Sequence, residues 1–578
     1  MRAAIDDDDG GSVTESAGRG ALARLRSRPW GADLKAGVVL GVESVPDGLA
    51  SGVLAGVNPL AGLYGYLYGM VGAALFTSST LMAVQATGAM SLVVADADLG
   101  ARPDPERALW TLAALTGAVM IAAGLLRAGA LLRFVPSSVM TGFVTAVGVN
   151  IVLGQLGDFT GAETSGANRI MRTVDLLLHP WRIDLMTLLV GVVTLVLIVG
   201  LQRTRLGALG LVVAMAAGSL LAALLGSLAD AHVAVVGDIA DVPHSLPLPA
   251  LPSLADVPYL ALPAVSLAFI GLVQGAAVSA AVPNPDGRPS VASRDFIGQG
   301  VGNVVSGLFR GMPVGGSMSA SSLVATAGGR TRLSLGFAGG VMALVVLVLA
   351  DVVALVALPA IAALLMVVGA GAVRPARVQS VMRTGKVQTV VLALTFVLTL
   401  LIPVQYAVLA GVALAIVLHV VEQSNRVRVT CLDIDADGKV RQGEPPDTVP
   451  GGEVLVLQPY GSLFFASAPT FKALLPRVDD GSRHAVVVLR LRGVDQIGLT
   501  LIDVLRGYAR EIQSREGVLK LVVDNRQVLH QMEAEGLVAL LGPDHVYLGT
   551  EWLGETTRRA RADGLRILAE SGPTDGEA

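Results

Sequence analysis

At 578 residues, with 53% hydrophobic and 15% charged side chains and a mean hydropathy of +0.65, the chain is too apolar for a soluble protein of its size. Its formal net charge of −4 is near neutral and its basic residues sit in short loops, which argues against a nucleic-acid partner. A single cysteine, Cys431, excludes an intramolecular disulfide and a multi-cysteine metal site.

Met1 to Gly20 is acidic and small, without the hydrophobic stretch of a cleavable secretion signal, and residues 1–30 are expected to form a disordered cytoplasmic N-terminus. Apolar runs follow near 34–52, 58–77, 83–96, 108–126, 134–156, 183–202 and 206–228, then near 260–282, 295–310, 314–327, 332–351, 354–373, 387–402 and 404–421. They predict a mainly α membrane protein of about 14 transmembrane segments, in two 7-segment repeats, 31–228 and 263–424, joined by an external loop, 229–262. An odd number of spans per half inverts the second repeat relative to the first. Aromatic residues make up only 4% of the chain while glycines number 68, so helix contacts must rely on small residues. Gly37 and Gly41, Gly48, Gly52 and Gly56, Gly65 and Gly69, and Gly336 and Gly340 have the spacing for it.

Loop charge orients the spans, because Lys and Arg are retained on the cytoplasmic side. Starting inside with Arg24, Arg26, Arg28 and Lys35, the pattern puts Arg127 and Arg133, Arg203 and Arg205, Arg288 and Arg294, Arg330 and Arg332, then Arg374, Arg377, Arg383 and Lys386 in cytoplasmic loops. The loop 229–262 has no Lys or Arg, whereas Arg169, Arg172 and Arg182 break the trend in the other long external loop. A multi-pass protein of the cell membrane, with both ends in the cytoplasm, is expected.

After Glu422 polarity rises. Residues 425–452 read as a linker, 453–565 as a small cytoplasmic α/β domain and 566–578 as a disordered tail. Val454–Leu457, Ala485–Leu491 and Leu519–Val523 predict buried strands, and Leu499–Ser514, Gln527–Glu535 and Glu551–Ala562 the helices between and after them.

Two apolar segments far apart in sequence look alike: Gln85-Ala-Thr-Gly-Ala-Met-Ser-Leu and Val314-Gly-Gly-Ser-Met-Ser-Ala-Ser. Each starts with a Gly- and hydroxyl-rich turn and runs into a helix too short to span a bilayer of roughly 30 Å. In corresponding halves of a membrane protein, such half-helices aim unpaired N–H groups and positive dipole ends at an anion. Gly88, Ala89, Ser317 and Met318 would supply the amides, and Gln85, Thr87, Ser317 and Ser319 side-chain donors, although a lone Ser or Thr in a helix more often bonds its own backbone.

Glu43 lies midway along the first span. An ionised carboxylate there costs roughly 2.5–3.5 kcal/mol on insertion scales, so it should face a cavity and act as a proton carrier, unless it is a structural partner to a helix broken at Pro46. Asp47 reads as a cap at that break. Gln274 holds the corresponding place in the second half, where it could contact the anion, bond Glu43 or make an ordinary interhelical contact. Asp295, Gln299 and Asn303, four apart, could line the same region or form a structural polar seam. The second-half span has no carboxylate, so proton coupling outranks sodium coupling.

The chain has no Walker loop, no His-Glu-x-x-His and no Gly-x-Ser-x-Gly, and its seven histidines lack ligand spacing. No enzyme activity, metal or cofactor is expected.

Asp33–Ala97, with Pro46-Asp-Gly-Leu-Ala, Leu54-Ala-Gly-Val-Asn-Pro and Gly62-Leu-Tyr, resembles the N-terminal signature of the SulP sulfate/anion permease family; Asp295-Phe-Ile-Gly-Gln-Gly-Val-Gly-Asn and Gly311-Met-Pro-Val-Gly-Gly-Ser-Met-Ser resemble its second-half signature. The segment from Glu453 to about Ala562 is similar to the family's cytoplasmic STAS domain. The resemblance implies fourteen segments in two inverted repeats, a substrate site between the third and tenth, elevator-like movement of a core domain against a gate domain, and homodimers. Glu43 matches an acidic position that a bacterial subgroup associates with proton symport of dicarboxylates. The chain departs from the family at Ala320, where many members carry Arg, within Val84-Gln-Ala-Thr, which lacks the usual Gly-Pro, and at Leu499, where a phosphorylatable residue is usual.

The expected activity is proton-coupled symport of a small carboxylate or dicarboxylate, with sulfate or bicarbonate exchange, a passive anion channel, or a platform for cytosolic partners of the STAS domain as alternatives. Expected partners are the anion, protons, membrane lipid and a second copy of the chain.

Overall fold

The computed structural model describes residues 30–570 except 128–135, 167, 205, 208, 230–231, 436–438, 492, 495–496 and 553. The expected disordered ends, apart from Trp30 and 566–570, and Arg24, Arg26, Arg28, Arg133 and Arg205 of the loop-charge pattern, lie outside the described residues. The chain divides into two units, one running to Ala415 and the other from Ile416.

In the first unit a helix stands at each apolar run. The first half has Trp30–Leu54, Pro59–Phe76, Gly88–Ala95, Pro105–Leu125, Ser137–Gly154, Leu185–Gln202 and Leu209–Ala229. The second half has Val257–Ala281, Ala292–Leu308, Met318–Thr326, Leu333–Val348, Leu358–Ala372, Lys386–Leu401 and Val404–Ser424, the last ending in the second unit. Among the described residues, eight helices are long and apolar enough to cross a membrane, and three more are apolar but shorter. The remaining three are Gly88–Ala95, Met318–Thr326 and the polar-seamed Ala292–Leu308.

Two expectations need correcting here. The first helix is continuous from Trp30 to Leu54 with Pro46 inside it, so Asp47 caps nothing; a proline that would cost about 3 kcal/mol in a soluble helix is tolerated because packed neighbours hold the turn. The helix Val257–Ala281 begins inside the segment read as external loop, since Pro258 at its first turn is a helix-starting residue.

The helices pack in two groups. In one, Trp30–Leu54 lies on Leu333–Val348, and Pro105–Leu125 lies on Ala292–Leu308 and Val257–Ala281; in the other, Ser137–Gly154 lies on Lys386–Leu401 and Leu358–Ala372, and Leu185–Gln202 on Leu209–Ala229. Small residues set the distances in the first group. A Cβ at Gly62 would stand 1.9 Å from Gly48 O, and one at Gly117 would stand 2.4 Å from Gly300 O. Gly117 and Gly124 on one helix and Gly300 and Gly307 on the other are seven apart, a contact that a search for four-residue spacing passes over. Gly37 and Gly41 press on Phe337 and Val341, whereas Gly336 and Gly340 meet no atom within 4 Å.

The second unit is an α/β domain around a six-stranded sheet, whose strands lie side by side in the order Val440–Gly443, Arg428–Ile434, Val454–Tyr460, Val486–Leu491, Val518–Val523 and Val546–Leu548. Its strands are β3 (Arg428–Ile434), β4 (Val440–Gly443), β5 (Val454–Tyr460), β6 (Val486–Leu491), β7 (Val518–Val523) and β8 (Val546–Leu548). β5 to β8 run parallel, and β3 is antiparallel to both β4 and β5. Period-two alternation sorts the side chains: Leu455, Leu457, Val487, Leu489, Leu521 and Val523 face a core shared with Leu499–Gln513 and Arg526–Ala534, and Val456, Val486, Val488 and Val522 face the helix Glu555–Glu570. The segment read as a linker, 425–452, therefore holds two strands of the sheet. Its charged residues alternate with Val429, Leu432 and Ile434 and hide a half-buried hairpin. The final helix likewise runs to Glu570, beyond the predicted domain end.

Lys520 is 2% exposed and donates to Tyr547 Oη at 2.8 Å; Tyr547 Oη in turn donates to Asp563 Oδ2 at 2.9 Å, tying β7 and β8 to the last helix. Beside them His545 is held neutral, its pKa lowered from 6.5 first by burial and then by the Lys520 charge, and its Nδ1 has no hydrogen-bond partner.

Gly300→Val should lower stability by about 1–3 kcal/mol through overpacking, read as a drop in the thermal unfolding midpoint in detergent, while Gly340→Ala leaves the midpoint unchanged. Because folding lowers the pKa of His545, its stabilising effect is complete above about 6.5 and declines as pH falls through that value. Protection factors of the Val546–Leu548 amides, corrected for the pH dependence of intrinsic exchange, should therefore be smaller at pH 5.5 than at pH 7.5, and His545→Gln should flatten the difference.

Candidate functional site

Two short strands meet between the halves of the first unit. β1 (Val84–Gln85) and β2 (Gly315–Gly316) pair antiparallel, Val84 opposite Gly316 and Gln85 opposite Gly315. Ser317 N adds a hydrogen bond to Ala83 O at 2.9 Å, and Ala83 N donates to Ser321 Oγ at 2.9 Å. The half-helices Gly88–Ala95 and Met318–Thr326 start shortly after these strands, so their N-termini lie next to the ladder.

Local chemistry starts each helix. Thr87 and Ser317 are extended, and their hydroxyls accept from Met90 N and Ala320 N, both at 3.4 Å. The first amides of each turn, those of Gly88 and Ala89 and of Met318 and Ser319, have no intrahelical acceptor. Close approach demands glycine in β2: a Cβ at Gly316 would stand 2.8 Å from Gly275 Cα, and one at Gly315 would stand 2.7 Å from Met90 Sδ.

The helix Val257–Ala281 thus lies against β2 and brings Gln274 to the first half-helix, where its Oε1 accepts from Thr87 Oγ1 at 3.1 Å. Of the three readings for Gln274, the interhelical contact is present, and its Nε2 remains without a protein partner among the described residues. Gln85 is fully buried; its Nε2 donates to Ser44 Oγ at 2.7 Å, and its Oε1 has no partner. Turning that amide over would let Ser44 donate to the oxygen and free two N–H donors. Ser317 and Ser319 hydroxyls stand 3.2 Å apart.

Gln299 and Asn303 hold β2 from behind. Gln299 Oε1 accepts from Gly316 N at 3.0 Å, and Asn303 bonds both Val314 N and Val314 O, at 2.8 and 2.6 Å. Asp295 accepts from Ser78 and Ser79, backbone and side chain alike, and from Ser279, at 2.6–2.9 Å. This row is the structural seam.

Glu43 sits on the first helix one turn before Asp47, on the same face, and makes no hydrogen bond among the described residues. Asp47 is the residue that sequence reasoning set aside. Its Oδ2 lies 2.5 Å from Tyr66 Oη, which also stands 2.9 Å from Ala86 O, in the turn between β1 and the half-helix, and 3.4 Å from Ser51 Oγ. Tyr66 thus has one hydroxyl hydrogen to share between two acceptors, Asp47 Oδ2 and Ala86 O. The available signals were the four-residue spacing from Glu43 and the cluster Tyr64, Tyr66 and Tyr68 in a chain with only eight tyrosines.

Ala320 is buried, so backbone dipoles, amides and hydroxyls make up the crossing. A cavity of about 1080 Å³ opens not there but at the other end of the first half-helix, by Val94 and Asp96, beside Gln155 and Asp158. Arg169 Nη2 spans to Asp96 Oδ1 at 3.0 Å on its wall. In the second unit, Leu499 is 58% exposed at the start of its helix, with Gly498 as N-cap.

The sequence matches the model of the sulfate permease family over residues 31–395 and that of the STAS domain over 446–551. "Probable sulfate transporter 4.2" of Arabidopsis thaliana is 25% identical over 541 residues, 89% of this chain and 79% of that protein. "Bicarbonate transporter BicA" of Picosynechococcus sp. is 24% identical over 540 residues, 90% of this chain and 93% of that one. The fold is similar to that of SLC26A9, with a TM-score of 0.79 at 17% identity over 97% of this chain and 98% of that one, and to the transmembrane domain of BicA, with a TM-score of 0.58 at 24% identity over 68% and 98%. A multi-pass helical unit with two half-helices crossing at a two-residue ladder, followed by a STAS domain, identifies an anion transporter rather than an enzyme, and the chain belongs to the sulfate permease family.

Proposed function

We propose that the chain is a secondary active transporter that binds one small oxyanion where the half-helices meet and couples its passage to a proton carried by the Glu43–Asp47 pair. The observation that carries this reading is the β1–β2 ladder, which joins the starts of the two half-helices; the free amides of Gly88, Ala89, Met318 and Ser319 and the side chains of Gln85, Thr87, Gln274 and Ser317 are the groups it would offer to an anion. Each helix N-terminus is equivalent to roughly +0.5 of an elementary charge, so two of them offset about one negative charge. A second negative charge needs another cation, and Ala320 supplies none. A proton on the carboxyl pair is the available one, with Tyr66 linking Asp47 to the turn at Ala86.

The substrate class is a carboxylate, dicarboxylates included. A monoanion is balanced by the dipoles alone, and a dianion by the dipoles plus one proton. Sulfate or bicarbonate is the second reading, favoured by the names of the relatives. Alternating access by movement of the helix group that carries the crossing, cytoplasmic placement of both ends, and a homodimer complete the proposal. The STAS domain serves docking or assembly, because Leu499 cannot be phosphorylated.

In proteoliposomes, Asp47→Asn and Glu43→Gln should each bind the anion within about threefold of wild type, and the double variant should lose uphill accumulation driven by a pH gradient; retained accumulation in the double variant would remove the carboxyl pair from coupling. Tyr66→Phe should cut pH-driven uptake about tenfold or more with unchanged anion affinity. Gln274→Leu should weaken affinity by roughly 1.5–3 kcal/mol, the range for a hydrogen bond to a charged group, in competition assays with fumarate, sulfate and bicarbonate read at two pH values. Unitary currents would instead indicate a channel.

A further inference from the structure

Gly336 and Gly340 have the spacing of a helix-packing motif, yet nothing among the described residues packs on them: a Cβ at either would meet no atom within 4 Å. Leu344 and Leu347, 58% and 43% exposed, continue the same face of the helix Leu333–Val348. The result is an open apolar strip with a shallow floor at the glycines.

At the N-terminal end of this strip lies a cavity of about 750 Å³. Gly336, Leu333 and Leu75 form its apolar wall, and Arg288, Arg294, Arg330 and Arg332 line it with a single acid, Asp286. All four arginines belong to the stretches that the charge pattern assigns to the cytoplasm, Arg294 in the first turn of Ala292–Leu308, and a cavity on that side of the spans would lie at the depth of lipid headgroups.

Two of the arginines serve the fold. Arg332 donates to Thr77 O, and Arg294 Nε donates to Phe76 O at 3.2 Å, at the end of the helix Met70–Phe76. The other two are uncommitted. Arg288 stands 3.7 Å from Asp286 with both side chains exposed, and the Arg330 guanidinium has no partner among the described residues, only its backbone N being held, by Asp33 Oδ1 at 2.7 Å. Asp33 and Asp295, behind the wall, are occupied by amides and hydroxyls of the adjoining loops.

We propose that cavity and strip together bind an anionic phospholipid of the cytoplasmic leaflet, with its headgroup phosphate on Arg288 and Arg330 and an acyl chain along Gly336 and Gly340. Guanidinium groups suit a phosphate, and basic pockets at this depth between spans suit anionic headgroups. A free anion would use the arginines and leave the strip unexplained. A helix of a second copy would cover the strip and leave the charges unexplained.

The test uses the full-length protein, delipidated in detergent and offered phosphatidylglycerol or phosphatidylcholine, with bound lipid counted by native mass spectrometry. Phosphatidylglycerol should be retained in preference to phosphatidylcholine. The double variant Arg288→Gln, Arg330→Gln should bind phosphatidylglycerol roughly thirtyfold more weakly, the effect of two interfacial charges. Gly340→Phe should also weaken it, without moving the unfolding midpoint of the lipid-free protein, because the ring enters open space. Equal retention of the two lipids overturns the proposal, as does unchanged affinity in the double variant. Displacement of phosphatidylglycerol by inorganic phosphate, with Gly340→Phe silent, assigns the cavity to a free anion and overturns it as well. Loss of self-association in Gly340→Phe with lipid retention intact gives the strip to a second copy, which also overturns it.

Discussion

Four residues, Val84 and Gln85 on one side and Gly315 and Gly316 on the other, carry the architecture of the crossing. A two-residue ladder is worth little in water. Within a membrane protein it is held because every backbone group it leaves unpaired would be stranded away from solvent, at a cost of several kcal/mol each. The neighbours complete the accounting: Asn303 takes both polar groups of Val314, Gln299 takes the amide of Gly316, and Ser321 takes the amide of Ala83. What remains unsatisfied is the first turn of each half-helix and the amides of Gln85 and Gln274. Those are the groups a ligand can use, and the saturated shell behind them fixes where they point.

Rigidity around that shell comes from backbone contact rather than from large side chains. Helices whose glycines approach carbonyls, as at Gly62 with Gly48 and Gly117 with Gly300, have almost no freedom to slide, because any shift of the interface drives Cα into oxygen. The second group shares such contacts, at Gly142 with Leu392 O and Gly148 with Gly369 O, but two of its helices are more open. Leu185–Gln202 and Leu209–Ala229 expose Leu185, Val196 and Leu220 and bury little of their length.

Much of this was legible in the sequence. Among the described residues a helix stands at each of the fourteen apolar runs, because backbone polar groups away from water must be satisfied within the segment, and eight of them are long enough to match the thickness of a membrane. The two half-helices were legible because their Gly- and hydroxyl-rich starts break the apolar pattern at matching places. The hairpin within 425–452 was not, because a strand half exposed on a sheet edge alternates with charge and looks like linker. Nor were the heptad-spaced glycines of Pro105–Leu125 and Ala292–Leu308, whose partner is 183 residues away and defined only once the helices cross. Asp47 was misread because Pro46 suggested a break that packing removes.

That misreading shows how buried carboxyls in such a chain are to be sorted. Asp33 and Asp295 are as deeply placed as any, yet each accepts several hydrogen bonds from loop amides and hydroxyls, which fills its acceptor sites and ties two distant segments together. Their role is structural, and position in the sequence alone does not reveal it. Glu43 has no such donors, and Asp47 has only a tyrosine whose single hydrogen is also wanted by Ala86 O. A carboxyl surrounded by donors has no room for a proton; one facing acceptors makes better contacts with a proton than without. Counting donors around each acid therefore separates the two pairs: Asp33 and Asp295 tie loops together, whereas Glu43 and Asp47 lie one helical turn apart, Asp47 linked through Tyr66 to the turn that starts the first half-helix.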